Sequence, residues 1–389
     1  MNNQINSIGF ALDPTNVPSF LLDWELTKLC NLDCSYCPNG EEEGEWAGHD
    51  NTTEHPSLAE CLQTIDFMYE YVDVYMQYKK PSQRKVVLNV YGGESLFHPD
   101  IVKILEAVRA KHAAYKDRWY LTVTCTTNAI VGKKRWAEIV SLIDEFTISY
   151  HSENNAKQKN IFKKNVLKLK DLDKKFKSVI VMHNKEPEFN DCLSIIDFFK
   201  EHDMRFVAKP LDGPENRWSY TAEQYKTLKT FWFDKNPTES VIEFRKKVDD
   251  LNEGEKINSI NEGRVCCGGR RLSLNGDLKT YATFVPKQGF QGWACSVNWF
   301  FLFVQQLTKN VYTNKDCRTS TTGRVEPLGT LTRPDEMITT LKTQLSTKTM
   351  PVITCVKEIC QCGFCAPKAT DPAVFKELIL RNVTEDVFK

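Results

Sequence analysis

From about residue 20 to residue 211 the chain alternates two hydrophobic rhythms. One is the short apolar or every-second-residue run of a strand; the other has apolar residues three and four apart, as on one face of a helix. "FLLDWELTKL" reads as a strand, and "SLAECLQTIDFMYEYVDVYM" as a helix capped by Ser57 after Pro56. "KVVLNVYGG" is a strand ending in glycines, and "PDIVKILEAVRAKHAAY" a helix with proline in its first turn. The strands "WYLTVTCTTN", "EFTISYHS", "KSVIVMH" and "RFVAKPL" follow. Each precedes a helical pattern: "KKRWAEIVSLI", "KQKNIFKKNVLKLKDLDKKF", "FNDCLSIIDFFKEHD" and "TAEQYKTLKTFWF". Six strand-then-helix units predict an α/β fold with parallel strands and helices outside, because crossovers are right-handed. The pattern leaves an open, partial barrel and a doubly wound sheet as alternatives. Either places ligands at the carboxyl ends of the strands.

Those strand ends are unusual. A cysteine cluster follows the first, "YGGES" the second, "TTN" the third and "SYHS" the fourth. Four polar ends on one rim describe an active-site face rather than a packed one. In the fourth strand, alternation puts Thr147, Ser149 and His151 on one side, which is expected to be the pocket. Beyond residue 211 the rhythm breaks. We expect a core over 1–235, a polar linker over 236–262 and a second domain over 263–389. In the last, "RVCCGGRRLSLNGDLKTYATF" reads as two short strands around the turn "NGD".

Composition narrows the class. The 389 residues carry 51 basic and 51 acidic side chains, a formal net charge of zero, which argues against a large nucleic-acid footprint. The N-terminal stretch lacks the basic and apolar regions of a signal peptide, and "WFFLFV" is too short to span a bilayer. A cytoplasmic protein without membrane attachment is the expectation. The 14 cysteines are clustered. Three lie within residues 30–37, eight follow residue 265, and Cys61, Cys125 and Cys192 sit on apolar faces as ordinary buried residues. Local clusters in a long enzyme-like chain read as metal ligation before disulfides.

Cys30, Cys34 and Cys37 form C-x3-C-x2-C. Three thiolates on one short loop can hold three irons of a [4Fe–4S] cube and leave the fourth open, as a catalytic metal centre requires. The competing reading is a structural zinc site with a distant fourth ligand, although zinc sites usually show paired C-x2-C units. With Tyr36 before the last cysteine, the motif resembles the signature of the radical SAM enzymes. The resemblance covers residues 20–211 in element order. It implies a partial (β/α)6 TIM-like barrel, a cluster whose open iron binds S-adenosylmethionine, and a 5′-deoxyadenosyl radical that takes hydrogen from a substrate. Gly92, Gly93 and Glu94 resemble the family's "GGE", which orients the methionyl amino group. Asn128 ends a "TTN" similar to the third-strand element of the family, with Ala129 in place of glycine. Ser149 matches a serine that touches SAM, and His151 stands where aspartate is common. The resemblance thus implies a cofactor site of Tyr36, Gly92, Gly93, Glu94, Asn128, Ser149 and His151.

The late cysteines are Cys266, Cys267, Cys295, Cys317, Cys355, Cys360, Cys362 and Cys365. "CQCGFC" at 360–365 and "CCGGRRLSLNGDLKTY" at 266–281 resemble the cysteine-rich auxiliary-cluster extensions called SPASM or twitch domains. Cys266, nine residues and Gly276 match their opening, but Tyr281 occupies the place of the next cysteine. Cys295 or Cys317 could replace it. The resemblance implies at least one auxiliary [4Fe–4S] cluster, held by Cys266 or Cys267 with Cys317, Cys362 and Cys365. A zinc ribbon of the same residues is the alternative. It also implies a low-potential donor resembling flavodoxin or ferredoxin. The expected substrate is a peptide or protein side chain; the alternatives are a small molecule such as an aminocyclitol, and a non-catalytic zinc protein. The acidic run 41–45 follows the cluster loop and is either solvated or near the pocket.

Overall fold

The computed structural model describes residues 20–37, 54–79, 81, 84–211, 220–231, 265–267, 270–272, 278–280, 294–295, 297, 301–312, 327–347, 349, 353–354 and 368–369. The expected linker, the acidic run 41–45 and five late cysteines (Cys317, Cys355, Cys360, Cys362 and Cys365) lie outside them.

The six expected units are present. They run β1 (Phe20–Thr27), α1 (Leu58–Met76), β2 (Lys85–Gly92), α2 (Ile101–Ala113), β3 (Tyr120–Thr127), α3 (Lys133–Leu142), β4 (Glu145–His151), α4 (Ala156–Asp171), β5 (Lys175–Met182), α5 (Glu186–Glu201), β6 (Phe206–Pro210) and α6 (Ala222–Phe231). Strands β1 to β6 pair in parallel and in sequence order. A doubly wound sheet would reverse direction at a switch point. The unbroken order therefore selects the partial barrel.

Local chemistry explains the boundaries. Ser57 caps α1 in a capping box: its hydroxyl accepts the Glu60 N–H, and the Glu60 carboxylate accepts the Ser57 N–H. Helix α2 starts at Ile101, so the proline expected in its first turn lies just outside. Helix α4 ends at Asp171, earlier than its apolar rhythm suggests, and β5 begins at Lys175. Asp173 takes a left-handed φ of 51°, and the Lys174 N–H closes on the Leu169 carbonyl, which stops the helix.

Nine further short strands were found among the described residues: β7 (Val265–Cys267), β8 (Arg270–Leu272), β9 (Leu278–Thr280), β10 (Ala294–Cys295), β11 (Phe301–Gln305), β12 (Asn310–Tyr312), β13 (Gly329–Thr330), β14 (Ile353–Thr354) and β15 (Lys368–Ala369), with helix α7 (Pro334–Thr347). β8 and β9 are the expected pair around "NGD", and β7 adds to them antiparallel.

The apolar run that is too short for a membrane is β11. It pairs in parallel with β1 and extends the barrel sheet to the order β13-β12-β11-β1-β2-β3-β4-β5-β6. A segment that the sequence assigns to the second domain thus completes the first sheet. All eight residues of β1 are buried, so both of its faces are covered as well as its edges. On the helix side, Phe20 meets Tyr75 of α1 at 4.9 Å between ring centres. On the inner side the side chains are polar and paired. Asp23 accepts from the Asn89 amide at 2.9 Å, and Glu25 from the Gln305 amide at 2.6 Å. Phe303 lies between Tyr91 and Tyr312, stacked at 6.2 and 6.0 Å.

If β11 belongs to the barrel core, Phe303→Ala should lower stability by about 3–5 kcal/mol, the usual cost of removing a buried phenylalanine ring. Denaturant midpoints of the full chain check this; a change below about 1 kcal/mol would show that the strand is not part of that core.

Candidate active site

The register between β1 and β2 shifts after Glu25, and this irregularity turns the chain out of the sheet into the cysteine loop. Cys30, Leu32, Cys34 and Tyr36 point inward and pack with Leu211, with Cys37, Ile130 and Val181 at the margin. The Cys37 N–H closes a turn on the Cys34 carbonyl at 3.0 Å. Burial, then the Glu94 charge, pushes the Cys30 thiol up to about 12. Burial, then the charges of Cys30 and Cys37, raises Cys34 as well. Among the described residues, no group of three His, Cys, Asp or Glu side chains is arranged around a single-ion position. Buried thiols with raised pKa become thiolates only when positive charge compensates them. Three soft, mutually coupled donors on a short loop fit an iron–sulfur cluster bound through separate irons.

Gly92 and Gly93 serve this loop directly. A Cβ on Gly92 would lie 2.1 Å from the Thr27 carbonyl oxygen. One on Gly93 would lie 2.3 and 2.4 Å from the carbonyl oxygens of Lys28 and Leu29. With no side chains there, the Gly93 N–H donates to Thr27 O and the Glu94 N–H to Leu29 O, both at 2.8 Å. The end of β2 is stapled to the start of the cysteine loop. The close approach that the glycines permit is to protein backbone.

Glu94 is buried, and its carboxylate accepts from the Thr127 hydroxyl (2.9 and 3.0 Å), the Asn128 N–H (2.6 Å) and the Leu96 N–H (3.0 Å). Burial outweighs these donors and pushes the carboxyl up to about 7. Asn128 donates to Asn31 Oδ1 at 2.7 Å, and Asn31 in turn donates to the Ile130 carbonyl at 2.9 Å. Ala129 has φ 55°, in the left-handed region that favours glycine, so an alanine here sits in a backbone conformation that side chains rarely adopt.

Thr147, Ser149 and His151 share the half-buried face of β4, as alternation predicts. His151 Nδ1 lies 2.9 Å from the Tyr36 hydroxyl, and the two rings stack at 5.9 Å. Tyr36 also meets His183 edge-on at 5.7 Å. Glu153 accepts from the Ser35 N–H and hydroxyl, and lies 3.2 Å from His183 Nε2. A cleft of about 410 Å³ opens beside the loop, lined by Cys30, Asp33, Cys34, Glu153, Asn155 at the N-cap of α4 and Gln158. Sequence reasoning missed Asn31, Glu153 and His183. Asn31 could have been suspected as a polar residue inside the cysteine motif, but Glu153 and His183 have no distinguishing pattern. Cys61, Cys125 and Cys192 are buried, as expected.

Among the late cysteines, Cys266 and Cys267 lie in β7 and Cys295 in β10. β15 runs between those strands, so Lys368 is register partner to both Cys266 and Cys295. The backbone thus brings Cys295 to the strand beside Cys266's neighbour. Cys317, Cys362 and Cys365 lie outside the described residues.

Residues 24–199 match the family model described as "Radical SAM superfamily". No curated protein matches the sequence. Among solved structures, the chain is similar to SuiB of Streptococcus suis bound to S-adenosylmethionine, with 13% identity over 79% of this chain and 63% of that one, at a TM-score of 0.42. It is also similar to anSMEcpe with bound AdoMet and Cp18Cys peptide, with 15% identity over 84% of this chain and 80% of that one, at a TM-score of 0.47. The chain spans less than two thirds of SuiB's length. No helix among the described residues is long and apolar enough to cross a membrane.

Gly93→Ala should displace the cysteine loop, since its methyl meets two backbone oxygens that cannot swing aside. The variant is expected to keep its circular dichroism and to lose most of its iron and sulfide after anaerobic reconstitution; full incorporation would contradict the staple. Glu94 adds a pH effect. Its pKa is higher in the fold than its ordinary 4.5, so folding takes up a proton between the two values. Cluster-free protein should therefore lose stability as pH rises from 4.5 to about 7, and Glu94→Gln should remove that part of the slope. Urea midpoints across this range provide the check.

Proposed function

We propose that the chain is a radical SAM enzyme in which Cys30, Cys34 and Cys37 hold a [4Fe–4S] cluster and the surrounding rim binds S-adenosylmethionine. The single observation that carries this reading is the cysteine loop at the end of β1, stapled through the Gly92–Glu94 segment of β2 and tied to Asn128 of β3. A reduced cluster held by Cys30, Cys34 and Cys37 would supply the electron for reductive cleavage of SAM, and with it the radical chemistry that abstracts hydrogen from a substrate.

The chain's own residues hold and orient. Gly93 and the Glu94 backbone fix the start of the loop. Glu94 is a buried acid close to Cys30, suited to a neighbouring ammonium group such as that of SAM's methionyl end. Ser149 and His151 face the same side as the loop and form the fourth-strand wall. The apolar packing of Leu32, Tyr36 and Leu211 limits water around the thiols.

The substrate in this proposal is a peptide or protein side chain, the class suggested by the likeness of the late cysteine segments to auxiliary-cluster extensions. On the same footing, the second cysteine-rich region holds at least one auxiliary cluster, a flavodoxin- or ferredoxin-like protein delivers electrons, and the enzyme works in the cytoplasm.

Anaerobically reconstituted protein incubated with SAM and dithionite should form 5′-deoxyadenosine, and Cys30→Ala should reduce this to background while retaining iron bound elsewhere. Wild-type protein that takes up iron and sulfide yet never cleaves SAM would sink the reading. Deuterium transfer from labelled peptides into 5′-deoxyadenosine tests the substrate class; transfer only from labelled aminocyclitols would replace it with the small-molecule alternative.

A further inference from the structure

We propose that Glu153 is a positioning residue for the cysteine loop, a second clamp at the β4 end of the same rim on which the Gly93 staple acts from β2. The inference rests on the reading that this loop holds a cluster. Glu153 Oε2 accepts the Ser35 N–H at 2.8 Å, and Oε1 accepts the Ser35 hydroxyl at 2.5 Å. His183, itself buried, has its Nε2 3.2 Å from the same Oε1. Hydrogen bonds to an ionised carboxylate are stronger than those between neutral partners.

The geometry divides the loop between two parts of one rim. Its first half is joined to β2 and β3 through Gly93, Glu94 and the Asn31–Asn128 pair. Its second half, Ser35 and Tyr36, is joined to the ends of β4 and β5 through Glu153, His151 and His183. Cys34 and Cys37 flank that second half. Glu153 therefore fixes where these two sulfurs stand relative to Cys30. It acts on the geometry offered to a cluster through Ser35. Ser35 is exposed, so its amide owes protection to this bond and not to burial.

Two measurements test the clamp. In the cluster-free protein, hydrogen exchange at the Ser35 amide should be about tenfold or more faster in Glu153→Ala than in wild type, with Glu153→Gln between them as a neutral acceptor. In reconstituted protein, Glu153→Ala should retain wild-type iron, show a changed EPR spectrum of the reduced cluster on adding SAM, and raise KM for SAM more than it lowers kcat. Glu153→Gln should recover most of the loss. Unchanged exchange and an unchanged EPR response in Glu153→Ala overturn the proposal. If that variant does not fold, the exchange rate of Glu153→Gln decides, and a rate equal to wild type overturns it. Should wild-type protein fail to cleave SAM, the functional reading falls, while exchange in cluster-free protein still decides the clamp.

Discussion

Two backbone hydrogen bonds, from the Gly93 N–H to Thr27 O and from the Glu94 N–H to Leu29 O, set the position of everything chemical in this protein. They form because neither glycine carries a Cβ. A methyl at Gly92 or Gly93 would overlap backbone oxygen, which has no rotamer to escape into. The same turn buries Glu94 and directs its carboxylate toward the end of β3, where Thr127 and Asn128 meet it. One short segment thus joins three consecutive strand ends. The cysteine loop takes its place from that junction before any metal is considered.

The barrel supports the junction by dividing its faces. Apolar side chains of β1, such as Phe20 and Trp24, pack toward the helices. Asp23 and Glu25 face the interior with amide partners, Asn89 and Gln305. Unpaired, such groups would each carry a desolvation cost of a few kcal/mol. Paired across strands, they hold β11, β1 and β2 in register. Gln305 arrives from β11, so the far segment of the chain satisfies the first strand and covers its edge. The Trp24 indole repeats the logic by donating to Gln306 at 3.1 Å.

Much of this was legible in order along the chain. Periodicity located all six strand–helix units, because strand and helix rhythms depend on local geometry. The Ser57 cap, the clustered cysteines and the polar strand ends were visible for the same reason: spacing is a local property. Boundaries moved where a single residue overrode the pattern, as Asp173 does by turning left-handed after α4. The glycines at the second strand end stood out in the sequence, but that their close neighbour is the chain itself belongs to the pairing of β1 with β2.

The sequence by itself determined the element types, their order, the donor atoms of the cysteine loop and the rim on which they lie. Tertiary structure alone decided the partners. It chose a partial barrel over a doubly wound sheet, since strand order is a matter of long-range pairing. It brought β11 beside β1 across almost three hundred positions of chain. It also joined Ser35 to Glu153 and Glu153 to His183, three residues with no shared spacing. Hydrogen bonds between distant segments carry no periodic signature, so only the folded chain reveals them.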